Sequence, residues 1–208
     1  MKYKELVEIY QQLEKTSKRL EKTFILASFL KHHKGHEQMQ EIILLIQGRI
    51  FPFHDETKIG VSSQYIIKAI ATATGSSPAE IENQWTKTGD LGLVSEKLVE
   101  KKKQATLFSQ SLTVKKVFQN LQKLPTLTGS GSVDQKVGLI AELLTSAKPE
   151  EAKYIVRTVL EEMRVGVASG TLRDSIVWSE WDYIKNYKKE SDKKKEKDIK
   201  QEEDKKIR

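Results

Sequence analysis

Apolar residues recur at three- and four-residue spacing from the start of this chain. Tyr3, Leu6, Ile9, Tyr10 and Leu13 follow that spacing, as do Phe24, Ala27, Phe29 and Leu30, then Ile42, Leu45 and Ile46. The same period returns at Ile155, Val159, Leu160 and Met163. Residues spaced in this way line one face of a helix, so each segment predicts an amphipathic helix with its apolar stripe turned to a shared core. Helix starts are marked by Ser77-Pro78-Ala79-Glu80, with a capping hydroxyl, a proline in the first turn and a glutamate three residues on, and by Ser132-Val133-Asp134-Gln135. No segment alternates with the two-residue period of a half-buried strand. The expected fold class is all-α, a single multi-helix domain over residues 1–180.

The pattern also repeats over a long distance. Lys58-Ile59-Gly60-Val61-Ser62-Ser63, running on to Ile70, is echoed by Arg164-Val165-Gly166-Val167-Ala168-Ser169, running on to Ile176. Four of those thirteen positions are identical and five more keep their chemical type. Further back, Lys22 falls on Lys136, Ala27 on Ala141, Phe29-Leu30 on Leu143-Leu144 and Leu45-Ile46 on Val159-Leu160, all at a spacing of 114. An insertion of eight residues in the first copy, around Pro52-Phe53-His54-Asp55, brings the spacing to 106 at the glycines. Each copy reads as helix, loop, helix, basic-x-Gly turn, helix, which predicts two lobes related by a pseudo-two-fold axis.

Composition narrows the setting. The chain has 208 residues and no cysteine, which excludes disulfides and thiolate metal sites and suits a reducing compartment. It contains no apolar run long enough for a membrane span, and Met1-Lys2-Tyr3-Lys4-Glu5 opens an amphipathic pattern where a signal peptide needs an apolar stretch. A soluble, monomeric, cytoplasmic protein is the expectation. The net charge is +7, but residues 184–208 hold eleven Lys/Arg against seven Asp/Glu, so over half of the excess lies in the tail. Residues 181–208 therefore read as a charged linker or tail, and the positions of the basic residues matter more than their sum.

Those positions favour helix starts. A glycine lets backbone approach a ligand closely, and the N–H groups opening the next helix form an anion site reinforced by the helix dipole. Lys58 with Gly60, Ser62 and Ser63, and Arg164 with Gly166 and Ser169, supply that combination twice. Ser17, Lys18, Arg19 and Lys22 at one further helix start, and Gly129, Ser130, Gly131, Ser132 and Lys136 at its counterpart, supply it twice more. Donors repeated in this way suit the phosphates of both strands of a duplex. Nothing resembles a recognition helix aimed at base edges, so binding independent of sequence is expected. The opposing reading treats the glycines as tight helix-helix turns and the chain as a helical protein-interaction scaffold.

Several of these segments are shared with a known family. Lys58-Ile59-Gly60-Val61 and its following helix, Leu127-Thr128-Gly129-Ser130-Gly131-Ser132 ahead of Lys136, Glu151 to Leu160 running into Met163-Arg164-Val165-Gly166, and Gly89-Asp90-Leu91-Gly92 resemble the N-terminal DNA-binding domain of ATP-dependent DNA ligases of the archaeal and eukaryotic replicative type. The resemblance covers roughly residues 1–180. It implies an all-helical domain that spans the minor groove around a nick, in an enzyme of replication and repair that uses ATP and magnesium. Those ligases take AMP on the lysine of a Lys-x-Asp-Gly motif, and no such motif occurs here; Lys87-Thr88-Gly89-Asp90 has the wrong order. The expectation is a domain without catalytic residues or cofactor of its own, whose partners are nicked duplex DNA and the catalytic domains of a longer enzyme.

One segment suggests a second partner. Gln104-Ala105-Thr106-Leu107-Phe108 resembles the sliding-clamp-binding box of archaeal ligases, with Gln104 as the polar anchor and Leu107 and Phe108 as the apolar plug. The same two apolar residues could equally staple a loop to the core. His32, His33 and His36 lack an accompanying carboxylate ligand set, and Trp85, Trp178 and Trp181 read as packing residues in a protein that holds an intact duplex.

Overall fold

A computed structural model describes residues 1–101, 111–181, 183–188 and 190. Ten α-helices carry the fold: α1 (Tyr3–Glu14), α2 (Arg19–His32), α3 (Met39–Ile46), α4 (Ser63–Thr74), α5 (Pro78–Thr88), α6 (Leu91–Glu100), α7 (Val114–Lys123), α8 (Ser132–Ser146), α9 (Pro149–Val159) and α10 (Ser169–Glu180). A short 3₁₀ turn, Leu124–Thr126, follows α7. Among the described residues the extended pairing is limited to an isolated bridge between Lys2 and Thr113, which ties the N-terminus to the start of α7. The all-α expectation therefore holds.

The periodic positions became the core. Tyr3, Leu6, Tyr10 and Leu13 of α1 are fully buried, as are Ile42, Leu45 and Ile46 of α3. Helix α9 is buried on all sides from Glu151 to Val159, and it packs against α1, α6 and α8. Gly92 permits the approach of α6: a Cβ there would lie 2.8 Å from Arg157 Cγ and 2.9 Å from the carbonyl oxygen of Lys153. Polar residues on a helix buried all round need partners, because an unpaired buried charge costs several kcal/mol, on the order of 3–5. Arg157 finds Asp90, through Nε at 3.1 Å and Nη2 at 2.6 Å, and also Glu14, while Lys153 reaches Glu14 at 2.8 Å. Burial opposes the charge on Asp90 and Glu14. The hydrogen bonds and charges of Arg157 and Lys153 outweigh it and hold both carboxyls below their usual range.

The internal repeat appears as an exchange between lobes. Helices α2, α3 and α4 correspond to α8, α9 and α10, and the first helix of each copy packs against the last helix of the other: α2 on α10, and α4 on α8. Neither copy can bury its helices alone, so the two lobes share one core cluster. Helix starts mostly follow the sequence signals. Ser77 caps α5 by accepting from the Glu80 N–H at 3.2 Å. At α8 the expected cap is displaced by one residue: Gly131 is the N-cap, with a left-handed φ of 77°, and Ser132 is already helical. Packing also runs past Glu180, since residues 183–188 are helical and the Tyr187 ring lies 5.3 Å from Phe24 and 5.5 Å from Trp178. Trp181 is 66% exposed and is not the packing residue its type suggested.

Candidate nucleic-acid interface

The two basic-x-Gly turns are built on the same backbone plan. Gly60 has φ 65° and Gly166 φ 64°, a left-handed conformation in which glycine is favoured because it has no Cβ. The residue before each glycine is an anchor, Ile59 at 3% exposure and Val165 at 3%, so the turn is pinned to the core while the glycine itself lies on the surface. Two residues after each glycine the chain enters α4 at Ser62 and α10 at Ala168.

Each turn is braced by a lysine from the opposite copy. Lys22 in α2 donates to the carbonyl oxygens of Val165 at 2.5 Å and Gly166 at 3.2 Å. Its repeat equivalent, Lys136 in α8, donates to the carbonyl oxygen of Gly60 at 3.4 Å. Both lysines are on the sequence-derived set of phosphate donors, and the structure gives them a further role as cross-lobe struts. Among the described residues neither ammonium has a carboxylate partner, and Lys22 is only 8% exposed. A cation buried against neutral carbonyls is poorly compensated and lends its field to the surface above it.

The helix starts in this region share a second property. Helices α5, α6 and α7 are capped by the side chains of Ser77, Asp90 and Thr113. The N-caps of α2, α4, α8 and α10 are Lys18, Ser62, Gly131 and Ala168, and none of them makes a side-chain cap hydrogen bond, a property shared with the N-caps of α1, α3 and α9. The first four are the starts at which the sequence places hydroxyl, glycine and basic donors. First-turn N–H groups uncapped by the protein are available to an external acceptor, and the helix dipole favours an anionic one. The starts fall in pairs. Arg19 of α2 reaches the first turn of α10, with Nη2 3.6 Å from where a Gly170 Cβ would sit, and Lys136 of α8 reaches the turn that opens α4.

The remaining candidates sort by how firmly the protein holds them. Lys58, Ser62, Ser17, Ser169, Gly129 and Ser130 are exposed, while Ser63, Ser132 and Lys136 are half-buried. Lys18 pairs with Glu21 at 2.9 Å. Arg19 pairs with Asp174 at 2.5 Å, and Arg164 contacts Glu162 at 2.9 Å, the Gly89 carbonyl oxygen at 3.1 Å and Asp90 at 3.4 Å. Sequence reasoning did not find Asp174, Asp90 or Glu162 as the residues that hold Arg19 and Arg164. Their partners come from other helices or from a turn whose path is not periodic, so spacing carries no signal for them. Gln104, Leu107 and Phe108 lie outside the described residues.

The geometry defines an all-helical, two-lobed domain with paired helix starts that lack a side-chain cap and with two lysine-braced glycine turns. The comparisons agree on what kind of domain this is. Residues 2–177 match the family model described as DNA ligase N terminus, and the chain belongs to that family. It is 46% identical over 176 residues to a DNA ligase of Methanosphaera stadtmanae, a match covering 84% of this chain and 32% of that protein. A DNA ligase of Methanothermobacter thermautotrophicus is 47% identical over 174 residues, covering 84% and 31%, and one of Thermococcus fumicolans is 48% identical over 176 residues, covering 85% and 31%. The chain thus spans about a third of the length of these relatives. Among the described residues, no helix is long and apolar enough to cross a membrane.

Proposed function

We propose that this domain binds duplex DNA through its phosphate backbones, without reading sequence, and holds nicked duplex for an ATP-dependent DNA ligase. The observation that carries the reading is the pair of crossed lysines: each braces the other lobe's glycine turn, and neither meets a carboxylate among the described residues. A protein-interaction scaffold has no use for two unpaired cations beneath two uncapped helix starts, whereas phosphates supply the missing charge at both. The pseudo-two-fold arrangement suits a ligand whose antiparallel strands are related by two-fold axes perpendicular to its length, with one lobe for each strand. Catalysis, with its ATP and magnesium, belongs to the remaining two thirds that the relatives possess, because the Lys-x-Asp-Gly nucleophile is absent from this sequence.

Binding of labelled duplex followed by fluorescence anisotropy across a salt series tests this reading. Log K should fall linearly with log salt, with a slope of about −0.9 per phosphate contact. Lys58→Gln with Lys136→Gln should flatten that slope by about two contacts while the fold is retained, because neither residue carries an ion pair within the domain. No binding by the parent chain at low salt would restore the scaffold reading. We further propose that Gln104, Leu107 and Phe108 dock a sliding clamp, on their resemblance to a clamp-binding box. Phe108→Ala should then abolish capture by the clamp and leave the affinity for duplex unchanged.

A further inference from the structure

Two lobes related by a pseudo-two-fold axis grip a duplex in the same way from either direction, so they cannot mark where one strand is interrupted. Within the paired helices the largest departure from the symmetry is the inserted loop between α3 and α4, residues 47–62, set against residues 160–168 in the second copy. The loop is built rather than slack. Ile50, at 2% exposure, and Ile59, at 3%, anchor its two ends in the core. Between them the Asp55 N–H donates to the Pro52 carbonyl oxygen at 3.0 Å, closing a tight turn, and Asp55 Oδ1 accepts from the Thr57 N–H at 2.8 Å. At the tip Phe53 is 87% exposed, the most exposed of the large apolar residues among those described, and the Arg49 guanidinium lies 4.9 Å from its ring centroid.

An aromatic ring held out on a closed turn, with a guanidinium over it, is a surface suited to stacking. The cleft behind it, about 580 Å³, continues to Lys58 at the first glycine turn. Its charges are mixed, with Asp55, Glu56 and Glu161 facing Arg49 and Lys58. At the Phe53 end Asp55 and Glu56 disfavour a phosphate beside the ring and leave a neutral, planar group as the better fit there, while Lys58 lies at the other end of the cleft, at the glycine turn. Bases inside an intact duplex are already stacked and gain nothing from Phe53. A base beside a nick keeps its partner and its neighbour but is no longer tethered to that neighbour through a phosphodiester, so it unstacks at lower cost and can be captured by an aromatic face.

We infer that Phe53, with Arg49, forms a base-stacking subsite for the unstacked nucleobase at a strand interruption, and that it gives the symmetric grip its asymmetry. This rests on the duplex-binding reading above. The test uses the 208-residue chain with duplexes of one sequence, intact or carrying a single nick, the nicked one bearing 2-aminopurine beside the break. The parent should bind the nicked duplex at least roughly five-fold tighter, the lower end of what a base–aromatic stack contributes, and should quench 2-aminopurine. Phe53→Ala should lose the preference and the quenching while holding intact duplex within two-fold, and Phe53→Trp should restore both. Salt-sensitive binding of duplex by the parent, with preference and quenching untouched by Phe53→Ala, overturns the subsite and leaves the duplex reading standing. An equal loss on both duplexes makes Phe53 a general contact and also overturns it. Failure of the parent to bind either duplex overturns both proposals.

Discussion

The two glycine turns share a backbone and differ in how tightly they are held. The second is locked: its strut Lys22 is buried and bonds two carbonyls, and its basic residue, Arg164, sits at φ 57° with contacts to Glu162, Gly89 and Asp90. Asp90 is in turn gripped by Arg157 of the buried central helix. The first turn is looser, with a half-buried strut at 3.4 Å, an exposed Lys58, and the inserted loop ahead of it. A left-handed φ at a bulky residue costs on the order of 1–3 kcal/mol and persists only where surroundings enforce it, which places the preformed geometry at the second turn. The difference teaches that gene-level duplication of a motif does not duplicate its rigidity. One copy is firmly held and the other only lightly braced.

The comparison breaks most completely if the support under the second turn is removed. Arg157→Met leaves the buried Asp90 without its main partner and the half-buried Glu14 with Lys153 alone, and the expected loss is about 3–5 kcal/mol of stability, read as a lowered denaturation midpoint. Because the carboxyls of Asp90 and Glu14 are held below their unfolded values, their contribution is present above pH ~4 and is lost as pH falls through the folded values. The parent should therefore lose stability on acidification below that point, and Arg157→Met should show a flatter acid limb. An unchanged acid limb would mean that this network does not set the pH dependence.

A smaller and more local contrast is expected between Gly166→Ala and Gly60→Ala. Both force alanine to a left-handed φ, at about 1–2 kcal/mol. At Gly166 the new Cβ would also lie 2.5 Å from Lys22 Nζ and must displace the strut, whereas at Gly60 the nearest atoms are 3.8 Å away. Gly166→Ala should thus be the more destabilising by thermal unfolding and the more damaging to DNA affinity; equal costs would show that Lys22 gives way freely. The smallest effect is expected from Asp174→Asn. It frees Arg19 from an exposed ion pair, of a kind that contributes about 0.2–1 kcal/mol, and should tighten duplex binding two- to five-fold with little change in stability.

The sequence by itself determined the helices, their buried faces and the existence of two related copies, because period and repetition are local properties of the chain. It also marked Gly60 and Gly166 as turns, the Ser77 cap, and the basic residues around four helix starts. Tertiary structure alone decided that the copies exchange helices, that Lys22 and Lys136 each cross to the other copy's turn, and that Arg19 and Arg164 are already engaged by Asp174 and Asp90. Partners separated by about 75 to 155 positions carry no signature in spacing. Hydrogen bonding and charge compensation act through space, and only the folded chain brings such residues within three or four ångströms of one another.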